Sequence, residues 1–279
     1  MGGPNSSPLR PRARLVNISS RAVVGSGENA LIAGVVVADT RAKRYLSRAV
    51  GPSLALFGAS GYVPDPQLSI FNSASVELFR NNGWQSGPEA ALMPGYAQSV
   101  GAFALLAGGL DSALANRVSA GNYTVQITTP SERSGVGLVE LYELDPNGRT
   151  VNLSTRGHVG TGDAVLIGGF VVQGPAYKRI LIRAVGPTLG IFGVGNALKD
   201  PLITIYSGST VVATNDRWDA GPDAAMVSAA SKATGAFNLA ANSEDAALLI
   251  TLPPGPYTVE VRGKDNTEGV ALLEIYEVP

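Results

Sequence analysis

A chain with one histidine and no cysteine has few routes to chemistry. Thiolate nucleophiles, Cys-ligated zinc and disulfides are excluded outright. The lone His158 argues against a His-based zinc site or a Ser-His-Asp triad, because each needs partners that converge on it. Carboxylates remain, but a carboxylate-only reaction such as glycoside hydrolysis needs a distinctive acid pair, and none stands out. The expectation is therefore a non-enzyme with no catalytic residue and no cofactor. Asn215, Asp216, Asp219 and Asp223 supply oxygens of the kind that suit calcium. Their spacing fits no EF-hand loop, so a solvated polar turn is the first reading and calcium the alternative. Gly25-Ser26-Gly27 and Gly160-Thr161-Gly162 are too short for a phosphate loop and lack a following Lys-Ser/Thr, so they read as turns.

Two further sets of residues invite a role. Trp84 and Trp218 are the only tryptophans, and each follows a polar turn in an equivalent setting. Exposed, such rings stack on sugars; buried, they anchor a loop, and loop packing is the first reading with glycan contact the second. Arg48 and Arg183 sit in strands whose two faces both read as apolar, and Glu140 and Glu274 sit likewise in a later strand. A half-buried arginine needs a carboxylate, since breaking a buried pair costs about 3–5 kcal/mol. The expected pairs are Arg48–Glu140 and Arg183–Glu274. The glycosylation-type sequences at Asn17, Asn122 and Asn152 fall in or at the start of expected strands, where coincidence is the better reading.

The elements that must position these residues come from a duplication. The segment from Lys43 through Arg48, Gly51, Pro52 and Phe57 to Gly58 recurs from Lys178 through Arg183, Gly186, Pro187 and Phe192 to Gly193, with most positions identical. Each copy reads as a strand that stops at Gly-Pro and turns. Upstream, Val16-Asn17-Ile18-Ser19-Ser20-Arg21 matches Val151-Asn152-Leu153-Ser154-Thr155-Arg156, and a continuous apolar strand follows at 31–37 and 166–172, expected to be covered on both faces. Downstream come a hairpin, the tryptophan turn, an alanine-rich stretch of one or two helical turns, and three final strands. Tyr123 and Tyr257 follow their turns in the manner of a tyrosine corner. Many short strands with regular turn signals predict an all-β chain: two tandem antiparallel β-sandwich domains of jelly-roll or immunoglobulin-like type. The expected division is a tail at 1–13, one sandwich at 14–145 and a second at 150–279, folded separately and joined by a short linker into an elongated, semi-rigid pair.

Composition agrees. The 279 residues include 34 glycines and 18 prolines, charged residues are only 15%, and the net charge is −1, with none of the basic patterning that nucleic acid demands. No apolar run is long enough to span a bilayer. The first residues lack the apolar centre of a signal peptide, so the chain is expected to be cytosolic or to have lost such a leader.

The matched stretches at 151–163 and 178–189, with Pro254-Gly255-Pro256-Tyr257-Thr258-Val259, resemble tandem repeats found at the C-terminal ends of large secreted and surface proteins of environmental bacteria. The later half of each repeat is similar, more distantly, to bacterial pre-peptidase C-terminal domains. The resemblance implies an extracellular or cell-surface, non-catalytic β-sandwich module without a defined ligand. The expected function is a structural protein that associates with itself as a filament, sheath or surface-layer subunit, with strand addition from the tail or from the region of Leu15 to Ile18 joining neighbours. The alternative is a carbohydrate-binding or adhesion module acting through Trp84 and Trp218 on polysaccharide.

Overall fold

The computed structural model describes residues 14–38, 41–145 and 150–279. The expected tail at 1–13 and linker positions 146–149 lie outside the described residues. Eight strands form the first half: β1 (Arg14–Val24), β2 (Leu31–Val37), β3 (Lys43–Val50), β4 (Gln67–Asn72), β5 (Glu77–Asn81), β6 (Ser112–Val118), β7 (Gly121–Thr128) and β8 (Gly135–Glu143). Eight counterparts form the second: β9 (Thr150–Val159), β10 (Leu166–Gln173), β11 (Lys178–Val185), β12 (Pro201–Ser207), β13 (Thr210–Asn215), β14 (Ala246–Leu252), β15 (Gly255–Gly263) and β16 (Gly269–Glu277). Two helices, α1 (Met93–Ser99) and α2 (Ala224–Thr234), follow the tryptophan turns. At 11 residues α2 makes about three turns, longer than the alanine-rich stretch suggested.

The strands join into one antiparallel system. Its spine runs β13-β12-β15-β10-β1-β9-β2-β7-β4-β5. Two branches leave it: β8, β3 and β6 continue from β1, and β16, β11 and β14 continue from β9. This corrects the expectation of two separately closed sandwiches. Strand β1 pairs with β8 of its own half and with β10 of the other, while β9 pairs with β16 and with β2. The opening strands are exchanged. The largest core cluster accordingly mixes residues of both halves, from Leu15, Ile18 and Val35 to Phe170, Val259 and Ile275. The arrangement is all-β and sandwich-like in its layering, with one continuous core in place of two.

Local packing explains the element choices. In β2 the residues Leu31, Ala33, Val35 and Val37 are buried and those between them half-buried, so one face is sealed and the other partly covered. On the half-covered face Gly34 lies against Ser154 of the exchanged strand, where an added Cβ would come within 2.4 Å of the hydroxyl. Strand β3 is buried on both faces. Tyr45 and Ala49 enter the shared core, whereas Leu46 packs on the other side beneath α1, with Met93, Ala97 and Ala113. The segment between the tryptophan turn and β6 is thus a third layer, and it buries Arg48. Tyr123 and Tyr257 send their hydroxyls back to the Ser119 and Pro253 carbonyls at 3.1 and 2.9 Å, bracing the β6–β7 and β14–β15 turns.

Candidate functional site

The residue set with the richest polar geometry centres on Arg48, in β3 opposite Glu140 of β8. The guanidinium is 1% exposed. Its Nε lies 2.9 Å from Glu140 Oε2, a charge contact without the alignment of a hydrogen bond. Nη1 donates to the Phe103 carbonyl at 2.7 Å, and the plane stacks 4.3 Å from the Phe103 ring centre. The other Glu140 oxygen accepts from the Tyr142 hydroxyl at 2.6 Å. The second half repeats this set. Arg183 Nε lies 3.0 Å from Glu274 Oε2, Nη1 donates to the Phe237 carbonyl at 2.7 Å, and the Tyr276 hydroxyl donates to Glu274 at 2.6 Å. Both expected pairs are therefore brought together. Burial pushes the Glu140 and Glu274 carboxyls up, against the pull of the arginines and the tyrosine hydroxyls. It pushes the Tyr142 and Tyr276 phenols up as well. A charge-matched pair, stacked on an aromatic ring and sealed from solvent, is a packing device and not an open reactive site.

The tryptophans are half-buried loop anchors. The Trp84 indole N–H donates to the Leu106 carbonyl and that of Trp218 to the Ala240 carbonyl, both at 3.2 Å. Their rings pack on the clusters under α1 and α2.

The oxygens of the second-half polar turn do not converge. Asn215 accepts from the Ala247 backbone and donates to the Arg217 carbonyl, while Asp216 pairs with Lys264 at 2.9 Å. Asp219 accepts from the Asn242 backbone, and Asp223 is exposed just before α2. Three of the four are thus engaged by separate partners. Among the described residues no group of three or more His, Cys, Asp or Glu side chains is placed to hold a metal ion. His158 lies in β9, its backbone in register with Val23 and Val270. Asn17, Asn122 and Asn152 all lie within strands.

Two buried carboxylates escaped the sequence reading. Asp111 receives hydrogen bonds from the Gly51 and Ser53 amides and the Ser53 hydroxyl at 2.8, 3.2 and 2.6 Å. Asp245 does the same for Gly186 and Thr188, with a further bond from the Ser243 hydroxyl. Each also fixes the tryptophan turn, because the Trp84 and Trp218 amides donate to the Asp111 and Asp245 carbonyls. These braces explain the Gly-Pro-Ser/Thr motif. A Cβ on Gly51 would approach the Val63 carbonyl oxygen to 2.0 Å, so only glycine lets the turn close. The available signal was the recurrence of an aspartate immediately before β6 and β14. A second missed contact crosses the halves: Glu277 sits 3.3 Å from Lys178 and accepts from the Leu15 backbone at 2.6 Å.

The chain matches no family model and no curated protein. Among solved structures it is similar to the STIV MCP, at 16% identity over 96% of this chain and 90% of that one, with a TM-score of 0.21. PNGF-II gives 11% identity over 96% of this chain and 58% of that one, at a TM-score of 0.24. A DUF4785 family protein from Legionella pneumophila gives 8% identity over 97% and 85%, at 0.25. Likeness at this level carries no argument about fold family or function. Among the described residues no helix is long and apolar enough to cross a membrane.

Proposed function

We propose that this chain is a non-catalytic structural protein of the cell surface or extracellular space that associates with itself through its sheet edges, and that its halves descend from one duplicated sandwich unit. The observation that carries this reading is the pair of open edges at the two ends of the spine. Among the described residues strand β13 pairs only with β12, and β5 only with β4. Both edges expose large apolar side chains: Val211 and Val212 on β13, Leu78 on β5 and Val76 just before it. Unpaired edges of this kind accept further strands. A β13 edge meeting a β5 edge of another copy gives an open-ended array, whereas β13 meeting β13 closes a dimer. The resemblance to surface-protein repeats and the absence of a distinctive catalytic set in the sequence support the same reading.

One part of the expected mechanism needs correcting. Ile18 to Arg21 are paired with β10 on one side and with β8 on the other, so that stretch of β1 has no free side to offer a neighbour. Electron microscopy and sedimentation of the purified protein test the proposal: ordered polymers or dimers are expected, and a monomer at all accessible concentrations overturns it. The alternative, polysaccharide binding through Trp84 and Trp218, is weakened because both rings are half-buried against the clusters under α1 and α2, which leaves less of each face for a sugar. Retention on a polysaccharide gel, lost on Trp84→Ala or Trp218→Ala, would restore it.

A further inference from the structure

The two halves share a scaffold outside their buried arginines and differ in what it displays. The Leu106 and Ala240 amides donate to the Ser53 and Thr188 hydroxyls at 2.7 and 2.9 Å, and the same two residues' carbonyls accept from the tryptophan indoles. In the first half residues 102–110 read Ala-Phe-Ala-Leu-Leu-Ala-Gly-Gly-Leu, and residues 54–59 read Leu-Ala-Leu-Phe-Gly-Ala. Neither segment has a side-chain nitrogen or oxygen. The second half places Asn238, Asn242, Ser243 and Glu244 where the first has Ala104, Gly108, Gly109 and Leu110. The two first-half segments are joined: the Ser53 hydroxyl links the Leu106 amide to Asp111, and the Phe57 ring meets that of Phe103 edge-on at 4.8 Å. Between them they leave Leu56 59%, Phe57 64%, Leu106 41% and Leu110 55% exposed. Single apolar side chains on a surface are ordinary, whereas a gathered set marks a contact.

Charge and hydrogen bonding select the occupant. A protein partner brings about one hydrogen bond for every 100–200 Å² of interface, and these segments have no side chain to meet one. A lipid interface asks for the reverse: apolar side chains over a backbone already satisfied from within. Leu106, in the middle of the loop, fits that demand. Its amide is held by Ser53, and its carbonyl accepts from both the Trp84 indole and the Gly109 amide. The neighbouring Gly108 amide donates to the Gln85 side chain at 2.7 Å. Neither segment carries a charge, so the matching surface needs none. We propose that this face of the first half docks on a lipid bilayer without requiring anionic headgroups, with Leu56, Phe57, Leu106 and Leu110 entering the interface.

Flotation of the full chain with phosphatidylcholine vesicles in a density gradient tests this. Polymers of the protein alone do not float, so self-association cannot imitate binding. Co-flotation is expected, no stronger when phosphatidylglycerol is mixed in and unchanged by added salt, because no charge takes part. Leu110→Glu installs the residue that the second half carries and should weaken binding about tenfold through lost leucine burial. Leu56→Glu should do the same, and the double variant should not float. Ile191→Glu, at the equivalent position of the second half, should leave binding unchanged. Absence of co-flotation, binding that needs phosphatidylglycerol, or binding that survives the double variant overturns the proposal. If the parent does not float and the double variant loses self-association, the face is a protein contact and the proposal falls. None of these outcomes depends on the sheet edges.

Discussion

The Thr155 hydroxyl donates to the Ser20 hydroxyl at 2.7 Å, and these two buried residues occupy the same position in the two halves of the chain. Val23 and His158, again equivalent, stand in register where β1 meets β9. Equivalent residues can touch only where a two-fold relation passes between them. The crossing of the exchanged strands is therefore the centre of the fold.

Exchange makes the halves interdependent. Without β9, strand β2 loses a neighbour over most of its length, and without β10 so does β1. Fragments 14–145 and 150–279 expressed separately are expected to lack a cooperative unfolding transition, and to regain one when mixed. The intact chain should unfold in one step by urea, with circular dichroism and tryptophan fluorescence coincident. A folded, stable 14–145 fragment would contradict the shared core.

The buried ion pairs carry a second expectation. Arg183 is fully buried against Glu274, so Arg183→Leu leaves an unpaired carboxylate beside Tyr276. The loss is expected to be about 3–5 kcal/mol in urea unfolding at pH 7. Adding Glu274→Leu should recover much of it, because the remaining cost is polar burial and not the absent attraction. A single variant as stable as the parent would mean that the pair is idle.

Much of this was legible from residues. The repeat around Lys43 and Lys178 located every strand of the second half by reference to the first. An arginine amid apolar neighbours, with a glutamate in a later strand, was enough to name both pairs. The strand exchange was not legible, because Val16 to Arg21 reads as a strand whichever half supplies its partner; pairing is a tertiary choice that alternation does not encode. The Asp111 and Asp245 braces were hidden for a related reason. An aspartate beside a strand looks like a turn residue until the Gly51 and Gly186 amides it satisfies are brought to it from the far side of the fold.

Asp65 and Asp200, equivalent in sequence, titrate in opposite senses. Burial works against the Asp65 carboxylate, but hydrogen bonds from Thr129 and Ser131 and the charge of Arg133 hold it below the usual range. Asp200 is held above that range by burial first and by Glu244, Asp216 and Asp265, with Lys264 opposing. Where the folded pKa is depressed the unfolded chain binds more protons, so the Asp65 contribution is present above the unfolded pKa and lost as pH falls through the folded one. Where it is raised the folded chain binds more, and the Asp200 contribution is lost as pH rises from the unfolded to the folded pKa. Asp65→Asn should thus destabilise at pH 7, with the difference from the parent shrinking toward pH 3. Asp200→Asn should stabilise at pH 7, with a gain that fades over the same range. Urea midpoints across that series check both signs.

The last expectation concerns the edges. On β5, Glu77 and Arg80 bind each other at 2.6 Å, placing two charges on the rim where a neighbour would pair. Strand β13 has no such guard: Thr210, Val211, Val212, Ala213 and Thr214 carry no charge, and both valines are exposed. Charges on an edge strand are a common defence against pairing. If association uses this edge, Val212→Lys should shift the protein to monomer in sedimentation while leaving its urea midpoint within about 0.5 kcal/mol of the parent, as surface changes usually do. Leu78→Lys separates the two geometries. In an open-ended array it should break polymers as effectively as Val212→Lys, because each junction uses one edge of each kind. In a closed dimer built from β13 alone it should change nothing. Assembly that withstands both lysines would place the contact elsewhere, and the exposed Ile191 and Phe192 would then be the next surface to charge.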